Sequence, residues 1–569
     1  MKRRSFIELV SITSGAVAGA SLISLPERVL AVQKSQQRGG EKLAADVVIA
    51  GGGLGGFAAA MASLRNDQTV ILTEETDWLG GQLTSQGVPP DEHTSIETHG
   101  ATQMYRDFRN AIRDYYRQNY PLTAEQKNNP KLNPGGGAVS RLCHEPRVAV
   151  SVMTNMLAPY ISSGKLVLLL EHKVTSADKS GNRVNSLTAT DLRKGTKKLL
   201  VAPYFIDATE LGDLLPLTGT EFVTGTESRS QTGEMHAPEK PNPENNQAFT
   251  ACFAMDYIEG ENHVIEKPRD YKFWSEHVPN LEPAWPGKLL ALHYSSPRTL
   301  TPRQLDFNPD NSKIPGILNL WTYRKIISKE NFRKGAYASD ITIVNWPQND
   351  YMLGNVVNVS QKEFDKHVDR AKQLSLSLLY WLQTEAPRSD GKKGWPGLRL
   401  RKDIMGTEDG LAKYPYIRES RRIKAVFTVL EEHVGKEQRA RITGNNKPAA
   451  AEFYDSVGTG YYHIDLHPSS DKVNYVDFPS LPFQIPLGAL LPVRMENILP
   501  ANKNIGTTHI TNGCYRLHPV EWNIGESVGL LVKFASDKNI KPREVRERKE
   551  LLEEFQRFIR SQGIATEWP

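Results

Sequence analysis

One short stretch near the N-terminus constrains the fold of this chain more than any other. Residues 43–75 read LAADVVIAGGGLGGFAAAMASLRNDQTVILTEE. Residues 46–50 form a short run rich in β-branched residues, which is typical of a buried parallel strand. A glycine-rich turn, an alanine-rich helix and a second strand that ends at Glu74 follow in that order. This order predicts a βαβ unit that binds a dinucleotide, with a purely structural glycine loop as the alternative.

Each residue of the motif has a physical role in such a unit. Gly51 permits the tight turn, Gly53 lets a diphosphate approach the backbone, and Gly56 allows the helix to pack closely on the strand. The helix N-terminus offers free N–H groups and a positive dipole end to phosphates. Glu74 stands where a carboxylate would bind the ribose hydroxyls.

The next segment resembles the FAD-dependent oxidoreductases that have a glutathione-reductase-type cofactor domain. Residues 76–87, TDWLGGQLTSQG, place Gly80, Gly81 and Gln82 in a loop that runs along the cofactor toward the flavin in that family. The resemblance implies FAD as the cofactor and leaves open whether the flavin is covalently attached. No second glycine-rich fingerprint follows in the sequence, so a built-in NAD(P)H site is not expected.

Two segments farther along the chain carry the same resemblance. The strand that contains Val174 resembles the one whose backbone meets the adenine in the family. Residues 198–213, KLLVAPYFIDATELGD, resemble a later strand that ends in Asp-Ala-Thr close to the cofactor. The resemblance therefore adds Asp207 and Thr209 to the expected cofactor site.

The C-terminal part resembles the segment that completes the family's cofactor domain. Its last helix points its N-terminus at the flavin in relatives, and we expect it to begin near Asn523 and to include Gly525. Glu526 is not expected to face the flavin, because a carboxylate there would compete for the helix dipole. The chain departs from its relatives at residues 501–503, Ala-Asn-Lys, where they tend to have Gly-Arg.

Together these segments predict an α/β fold. It consists of a Rossmann-like FAD-binding domain that is discontinuous in sequence, with an inserted α+β substrate or cap domain. We place the FAD-binding domain at 43–215 and 481–538, the inserted domain at 216–480 and a C-terminal helix within 539–569.

Oxidation by a flavin needs a base for the substrate's proton. His518 is the first candidate, because it lies just ahead of the expected flavin helix. His463, Asp465 and His467 alternate, so on a strand they would share one face and form a base with its orienting acid. Structural histidines or half of a metal site are the alternatives. No third group of ligands is evident in the sequence, so we predict no metal.

The run IRESRRI (417–423) places several charges beside apolar segments. Exposed, these charges would contribute little to stability, whereas buried ones need partners. We expect an arginine–glutamate network that either braces the substrate pocket or binds an anionic group, with a plain surface helix as the alternative. The partners of Arg418 and Arg421 decide between these interpretations.

The N-terminus predicts export. Residues 1–31 begin MKRRSFIELV, and Arg3-Arg4 ahead of a mildly apolar segment resembles a twin-arginine signal. This pattern implies the export machinery as a partner and a periplasmic or secreted protein without a stable membrane span in its mature form. An uncleaved anchor and an ordinary basic N-terminus are the alternatives. The net charge of +5 forms no basic stripe, so nucleic acid is not an expected partner.

The function that follows is an exported FAD-dependent oxidase or dehydrogenase. It would remove a hydride from a small organic substrate and pass electrons to oxygen or a quinone-type acceptor. Three cysteines without a CxxC pair disfavour a dithiol relay. A flavin-dependent lyase or isomerase without net oxidation, and a non-catalytic FAD-binding protein, remain as alternatives.

Overall fold

A five-stranded parallel sheet, here named the central sheet, forms the framework of the computed structural model, which describes residues 35–37, 40–312 and 314–569. The expected twin-arginine segment, residues 1–31, lies outside the described residues. Strand Val47–Ala50 lies in the middle of the sheet and is buried on both faces, as its apolar run predicts. In spatial order the strands are Ile498–Pro500, Tyr204–Asp207, Val47–Ala50, Val70–Glu74 and Leu166–Leu170.

A second five-stranded sheet packs on the central sheet through a cluster of buried apolar side chains that includes Val48, Ile71 and Leu200. In spatial order its strands are Ser35–Gln37, Gly40–Ala44, Lys197–Val201, Arg183–Asp191 and His172–Ser180. Three of its four pairings are antiparallel, and Gly40–Ala44 pairs in parallel with Lys197–Val201.

Two helices cover the central sheet near the glycine loop. Leu54–Arg65 begins directly after the loop and is buried along its whole length except at Arg65. His518–Lys538 packs against it and is fully buried from its first residue to Val532. It begins five residues before the expected Asn523, and Pro519 suits its first turn.

The residues between 216 and 480 carry short strands around a separate apolar cluster rich in tryptophan, which includes Trp274, Trp321 and Trp346. Their largest sheet is antiparallel, in the order Lys325–Ile327, Ile341–Val344, Phe253–Tyr257 and Leu398–Leu400. A three-stranded sheet contains His293–Ser295, Pro302–Asp306 and Leu318–Asn319. Three strand pairs lie in the same range: Phe222–Val223 with Arg422–Ile423, Phe249–Thr250 with Asp350–Tyr351, and Ile464–Leu466 with Val476–Phe478. A fourth pair joins Ser456–Gly460 to Phe483–Pro486, which follows this range.

The remaining α-helices are mostly short connectors. They are Gln103–Asn119, Ala124–Asn128, Pro146–Ser162, Leu214–Thr218, Arg229–Thr232, Tyr271–Glu276, Leu320–Tyr323, Gln361–Thr384, Lys402–Met405, Glu431–Val434, Lys436–Thr443, His509–Tyr515, Pro542–Glu547 and Lys549–Ser561. The last two replace the single expected C-terminal helix, with a break at Arg548. No helix among the described residues is long and apolar enough to cross a membrane. All three cysteines are buried and unpaired.

Candidate active site

The three glycines of the loop have different surroundings. Gly51 has φ of +96°, and a Cβ there would lie 2.2 Å from the carbonyl oxygen of Ala208. A Cβ on Gly56 would lie 1.9 Å from the carbonyl oxygen of Gly51. Around Gly53 the nearest backbone atom to a Cβ would be Gly81 Cα, at 4.0 Å. The loop is therefore packed against backbone at Gly51 and Gly56, whereas at Gly53, where the helix presents its N-terminus, the nearest neighbour is a side chain.

A groove, here named the cofactor groove, runs over Gly53. Glu74 lies at one end, where its carboxylate accepts hydrogen bonds from the backbone N–H groups of Gly52 and Thr76, both at 2.9 Å. Burial raises the pKa of Glu74 to about 7, although these hydrogen bonds oppose the shift. The predicted cofactor residues that line the groove are Gly51, Gly53, Glu74, Gly81, Val174 and Thr209.

Two other predicted cofactor residues, Asp207 and Asn523, make hydrogen bonds within the protein. Asp207 accepts hydrogen bonds from Thr209 Oγ1 at 2.7 Å and from the N–H of Leu214 at 3.1 Å, so it fixes the turn after its strand. The Asn523 side chain accepts from the N–H of Thr459 at 3.2 Å and thereby ties its helix to a neighbouring strand.

The remaining predicted glycines shape the protein around the groove. Gly80 has φ of +107° and donates its N–H to the carbonyl of Gly52 at 2.8 Å. Gly525 permits the close contact between the two buried helices described above.

Several buried polar atoms beside the groove have no hydrogen-bond partner among the described residues. They are Gln82 Oε1, both amide atoms of Gln86 and both carboxylate oxygens of Glu521. Buried polar groups are nearly always hydrogen-bonded, so such a cluster indicates a polar ligand. Burial raises the pKa of Glu521 above its usual range, although the charge of Lys503 opposes the shift.

Lys503 supplies positive charge at the same place. Its ammonium group is buried, pairs with Glu210 and lies 3.8 Å from Glu521 Oε1. Glu210 is the side chain nearest to Gly53, with its Oε1 3.2 Å from a Cβ built there, and Lys503 pairs with this carboxylate. A glycine loop, a helix N-terminus, a cation and unpartnered amides fit a diphosphate-containing cofactor such as FAD.

A second cavity of about 160 Å³, here named the substrate cavity, lies among the residues between 294 and 477. Its aromatic wall contains Tyr294, Tyr323, Trp346, Tyr462 and Tyr475. Its polar wall contains Arg324, Asn345, Arg418, His463, Asp465, His467 and Asp477. The alternating residues His463, Asp465 and His467 thus meet on one cavity, as their spacing predicts.

The two cavity histidines have different carboxylate partners. His467 Nδ1 lies 2.6 Å from Asp350 Oδ2, and its Nε2 lies 3.6 Å from Asp465 Oδ2. His463 Nε2 lies 3.3 Å from Asp477 Oδ2. Burial alone lowers the pKa of His463, but the hydrogen bond to Asp477 and the charge of Asp465 outweigh it and raise the pKa above its usual value.

The same groups form the closest approach to a metal site among the described residues. His463, Asp465 and Asp477 each offer a ligand atom within 4.8 Å of the others. Two arginines already compensate the carboxylates, because Arg516 lies 3.2 Å from Asp465 and Arg298 lies 3.1 Å from Asp477. The charge of this group is balanced without a metal ion.

His518 is fully buried and does not line the substrate cavity. Its Nδ1 accepts a hydrogen bond from the backbone N–H of Asp91 at 3.1 Å. Burial lowers the pKa of His518 to about 4, so the ring is neutral and its single proton lies on Nε2. The Nε2 atom has no partner among the described residues, and the base role of His518 stays a prediction.

The charged run 417–423 is buried, which excludes the surface-helix interpretation. Arg418 lies 3.2 Å from Asp350, and Arg421 lies 3.0 Å from Asp213. Arg422 pairs with Glu227 at 2.8 Å. Only Arg418 of these arginines lines the substrate cavity, so Arg421 and Arg422 brace the structure.

Sequence reasoning missed several residues of both sites. Arg324 and Glu210 carry no local signal, because nothing in their neighbourhood along the chain distinguishes them from surface charges. Glu521 lies in the first turn of a buried helix, and an acidic residue inside an otherwise apolar run is a signal that could have identified it. Gln86 follows the glycine pair at 80–81 closely enough to have been included.

Comparison with known proteins agrees with this geometry. A model of the family described as FAD dependent oxidoreductase matches residues 46–559. No curated protein matches the chain.

Solved structures that resemble the chain do so only distantly. L-proline dehydrogenase from P. horikoshii has 15% identity and a TM-score of 0.18, and the match covers 35% of this chain and 27% of that protein. OxyS anhydrotetracycline hydroxylase from Streptomyces rimosus has 9% identity and a TM-score of 0.34, covering 91% and 66%. The FrdA protein of E. coli quinol fumarate reductase has 11% identity and a TM-score of 0.31, covering 92% and 74%.

The chain thus spans less than two thirds of the length of the first two of these structures, and similarities this weak carry no argument about its substrate. The family match extends over most of the sequence. It agrees with the glycine loop, with the position of Glu74 and with the unpartnered polar atoms beside them. The chain therefore belongs to the family of FAD-dependent oxidoreductases, and FAD is its cofactor.

Proposed function

We propose that this enzyme oxidises a small organic molecule in the substrate cavity and passes the electrons to oxygen or a quinone-type acceptor. The observation that carries the proposal is the connection between cavity and cofactor groove through one residue. The carbonyl of Arg516 accepts a hydrogen bond from Gln82 Nε2 at 3.0 Å, and its guanidinium donates to Asp465 on the cavity wall at 3.2 Å. A molecule in the cavity would lie beside the loop that the family resemblance assigns to the flavin.

The cofactor domain of this proposal is discontinuous in sequence. The parallel pairing of Ile498–Pro500 with Tyr204–Asp207 supports joining 43–215 with 481–538. The tryptophan-rich cluster supports a substrate domain within 216–480. The diphosphate of FAD would be held at Gly53 with Lys503 nearby, and the ribose at Glu74.

Bound FAD would supply the acceptor for the substrate's hydride. The protein's own part is to hold the substrate and take its proton. We place the base at His467, because Asp350 orients its Nδ1 while its Nε2 lies on the cavity wall, 3.6 Å from Asp465 Oδ2. The aromatic wall offers apolar surface to the body of the reacting molecule.

Two experiments test this function. Protein purified with FAD should show the flavin absorption bands, and an anaerobic substrate should bleach them in a single turnover. Bleaching that is reversed by oxygen or by a quinone would identify the acceptor. Turnover without any bleaching would instead favour a lyase or isomerase that makes no net use of the flavin's redox chemistry.

Export by the twin-arginine route is part of the same proposal and rests on residues 1–31 alone. Replacing both Arg3 and Arg4 with lysine should retain the protein in the cytoplasm of a host that has this pathway, because the signal depends on the arginine pair. The single substitution Lys2→Arg is the matched control and should leave export unchanged. Equal export of all three proteins would contradict the proposal.

A further inference from the structure

The substrate cavity contains buried hydrogen-bond donors that the protein does not use. Arg324 Nε, Arg418 Nε and Asn345 Nδ2 have no partner among the described residues, and all three residues line the cavity. Two of these groups belong to guanidiniums, which offer five N–H donors and no acceptor. A buried donor without an acceptor is unfavourable, so three of them at one cavity indicate a missing acceptor.

Arg418 Nη1 donates to the backbone carbonyl of Ala248 at 2.8 Å and to Thr250 Oγ1 at 3.1 Å, whereas the other contacts of the two arginines are longer. Arg324 lies 3.3 Å from Asp91 and donates to the carbonyl of Pro89 at 3.5 Å. Arg418 lies 3.2 Å from Asp350 and donates to Asn345 Oδ1 at 3.3 Å. Hydrogen bonds from a cation to a carboxylate are typically about 2.7–2.9 Å long. The Nε of each guanidinium therefore lacks an acceptor, and the contacts with Asp91 and Asp350 are long for charged pairs.

We infer that the substrate cavity binds the carboxylate group of a small substrate. The inference rests on the proposed function, in which this cavity holds the substrate. A planar carboxylate suits the flat guanidinium and amide donors, and two oxygens can accept from all three groups.

The size and the aromatic wall of the cavity define the rest of the ligand. A cavity of about 150 Å³ holds benzene, so a volume of about 160 Å³ suits a ligand of roughly six to nine non-hydrogen atoms. The five aromatic side chains favour a ligand whose body is apolar or aromatic. The substrate class is thus a small carboxylic acid with an apolar body.

Asn345 offers the sharpest test. Its Oδ1 accepts from Arg418, whereas its Nδ2 has no partner. Asn345→Asp keeps the acceptor for Arg418 and replaces the free donor with a carboxylate oxygen of almost the same shape. The variant should fold and should repel a bound carboxylate. Asn119→Asp, on an exposed position of the helix Gln103–Asn119, makes the same charge change away from the cavity and is the matched control.

Calorimetric titration of the full-length protein with benzoate, benzamide, propionate, propionamide and inorganic phosphate tests the inference without requiring turnover. We expect each acid to bind at least about tenfold more tightly than its amide and than phosphate. Asn345→Asp should weaken acid binding roughly 10- to 100-fold, and Asn119→Asp should not change it. Melting temperatures verify that both variants are folded.

Equal binding of acids and amides, tighter binding of phosphate, or no binding of either acid would overturn the inference. So would acid binding that Asn345→Asp leaves unchanged. Failure of the proposed function looks different, because it consists of protein without flavin absorbance or of turnover without flavin bleaching. A neutral molecule that bleaches the flavin while neither acid binds would leave the proposed function intact and refute the carboxylate inference.

Discussion

Gly525 and Gly55 bring two buried helices into backbone contact: a Cβ on Gly525 would lie 1.9 Å from the carbonyl oxygen of Gly55. One helix starts at the glycine loop, and the other carries Glu521. The same close approach continues at Gly529, where a Cβ would lie 2.6 Å from the carbonyl oxygen of Ala59. The contact therefore fixes the relative positions of the two helices beside the cofactor groove.

Gly525→Ala should destabilise the protein despite the better helix propensity of alanine. That propensity contributes about 1 kcal/mol, whereas forcing a methyl group against a rigid backbone typically costs about 1–3 kcal/mol or more. We expect a net loss of about 2 kcal/mol in the free energy of unfolding, measured by urea denaturation. Ser536→Ala, at an exposed position of the same helix, should change it by less than about 0.5 kcal/mol. Equal stability of the two variants would contradict the contact.

Lys503→Met should weaken FAD binding. The buried ammonium pairs with Glu210, whose carboxylate lies beside Gly53, and losing a hydrogen bond to a charged group weakens binding roughly 10- to 100-fold. Fluorescence titration of the apoprotein with FAD measures the change.

Two variants control for side effects of that substitution. Lys503→Met combined with Glu210→Gln removes the carboxylate that would otherwise be left unpaired, and it should show the same loss of FAD affinity. Lys541→Met, which breaks an exposed pair with Glu496 at 2.9 Å, should bind FAD normally. Wild-type affinity in the double variant would assign Lys503 to bracing Glu210 alone.

Glu526→Gln should stabilise the protein increasingly as the pH rises. Burial raises the pKa of Glu526 from 4.5 to about 7, so between these values the native state holds a proton that the unfolded state has lost. The contribution of Glu526 to stability therefore falls as pH rises through this window, by at most about 3 kcal/mol. Glutamine cannot ionise and still accepts the hydrogen bond from Trp522 Nε1, which is 3.2 Å long.

The difference in unfolding free energy between Glu526→Gln and wild type, measured from pH 4 to pH 9, should rise until about pH 7 and then level off. Comparing a variant with wild type cancels the titration of the other buried acids. Glu550→Gln, at an exposed position of the C-terminal helix Lys549–Ser561, should give a flat difference across the same range. A flat line for Glu526→Gln would mean that this carboxyl group is not desolvated.

His467→Asn should lower kcat by roughly 10²- to 10⁴-fold, the usual contribution of a general base. Asparagine retains a donor near the position of Nδ1, so the contact with Asp350 is kept while the base is lost. The flavin absorbance of the variant should match wild type. His463→Asn changes a neighbouring cavity histidine, and its kcat should fall less than tenfold. The reverse order of effects would make His463 the base.

The sequence by itself determined the cofactor half of this protein. Strand, glycine turn, helix and second strand are contiguous, and each glycine answers a local demand of the backbone, such as φ of +96° at Gly51. The alternation of His463, Asp465 and His467 likewise predicted a shared face, because a strand repeats every two residues. Local geometry of this kind can be predicted from the order of neighbouring residues.

Only the tertiary structure decided what the charged groups do. Lys503 and Glu210 are 293 residues apart, and Arg418 meets Asn345 across 73 residues. Arg324 is a candidate ligand-binding residue because it is buried beside the substrate cavity, and Glu521 because it is buried beside the cofactor groove. Both positions depend on how separate segments pack. Because the energy of a charge is set by its surroundings rather than by its neighbours in sequence, residue order left open both the partners of the arginines and the shape of the substrate cavity.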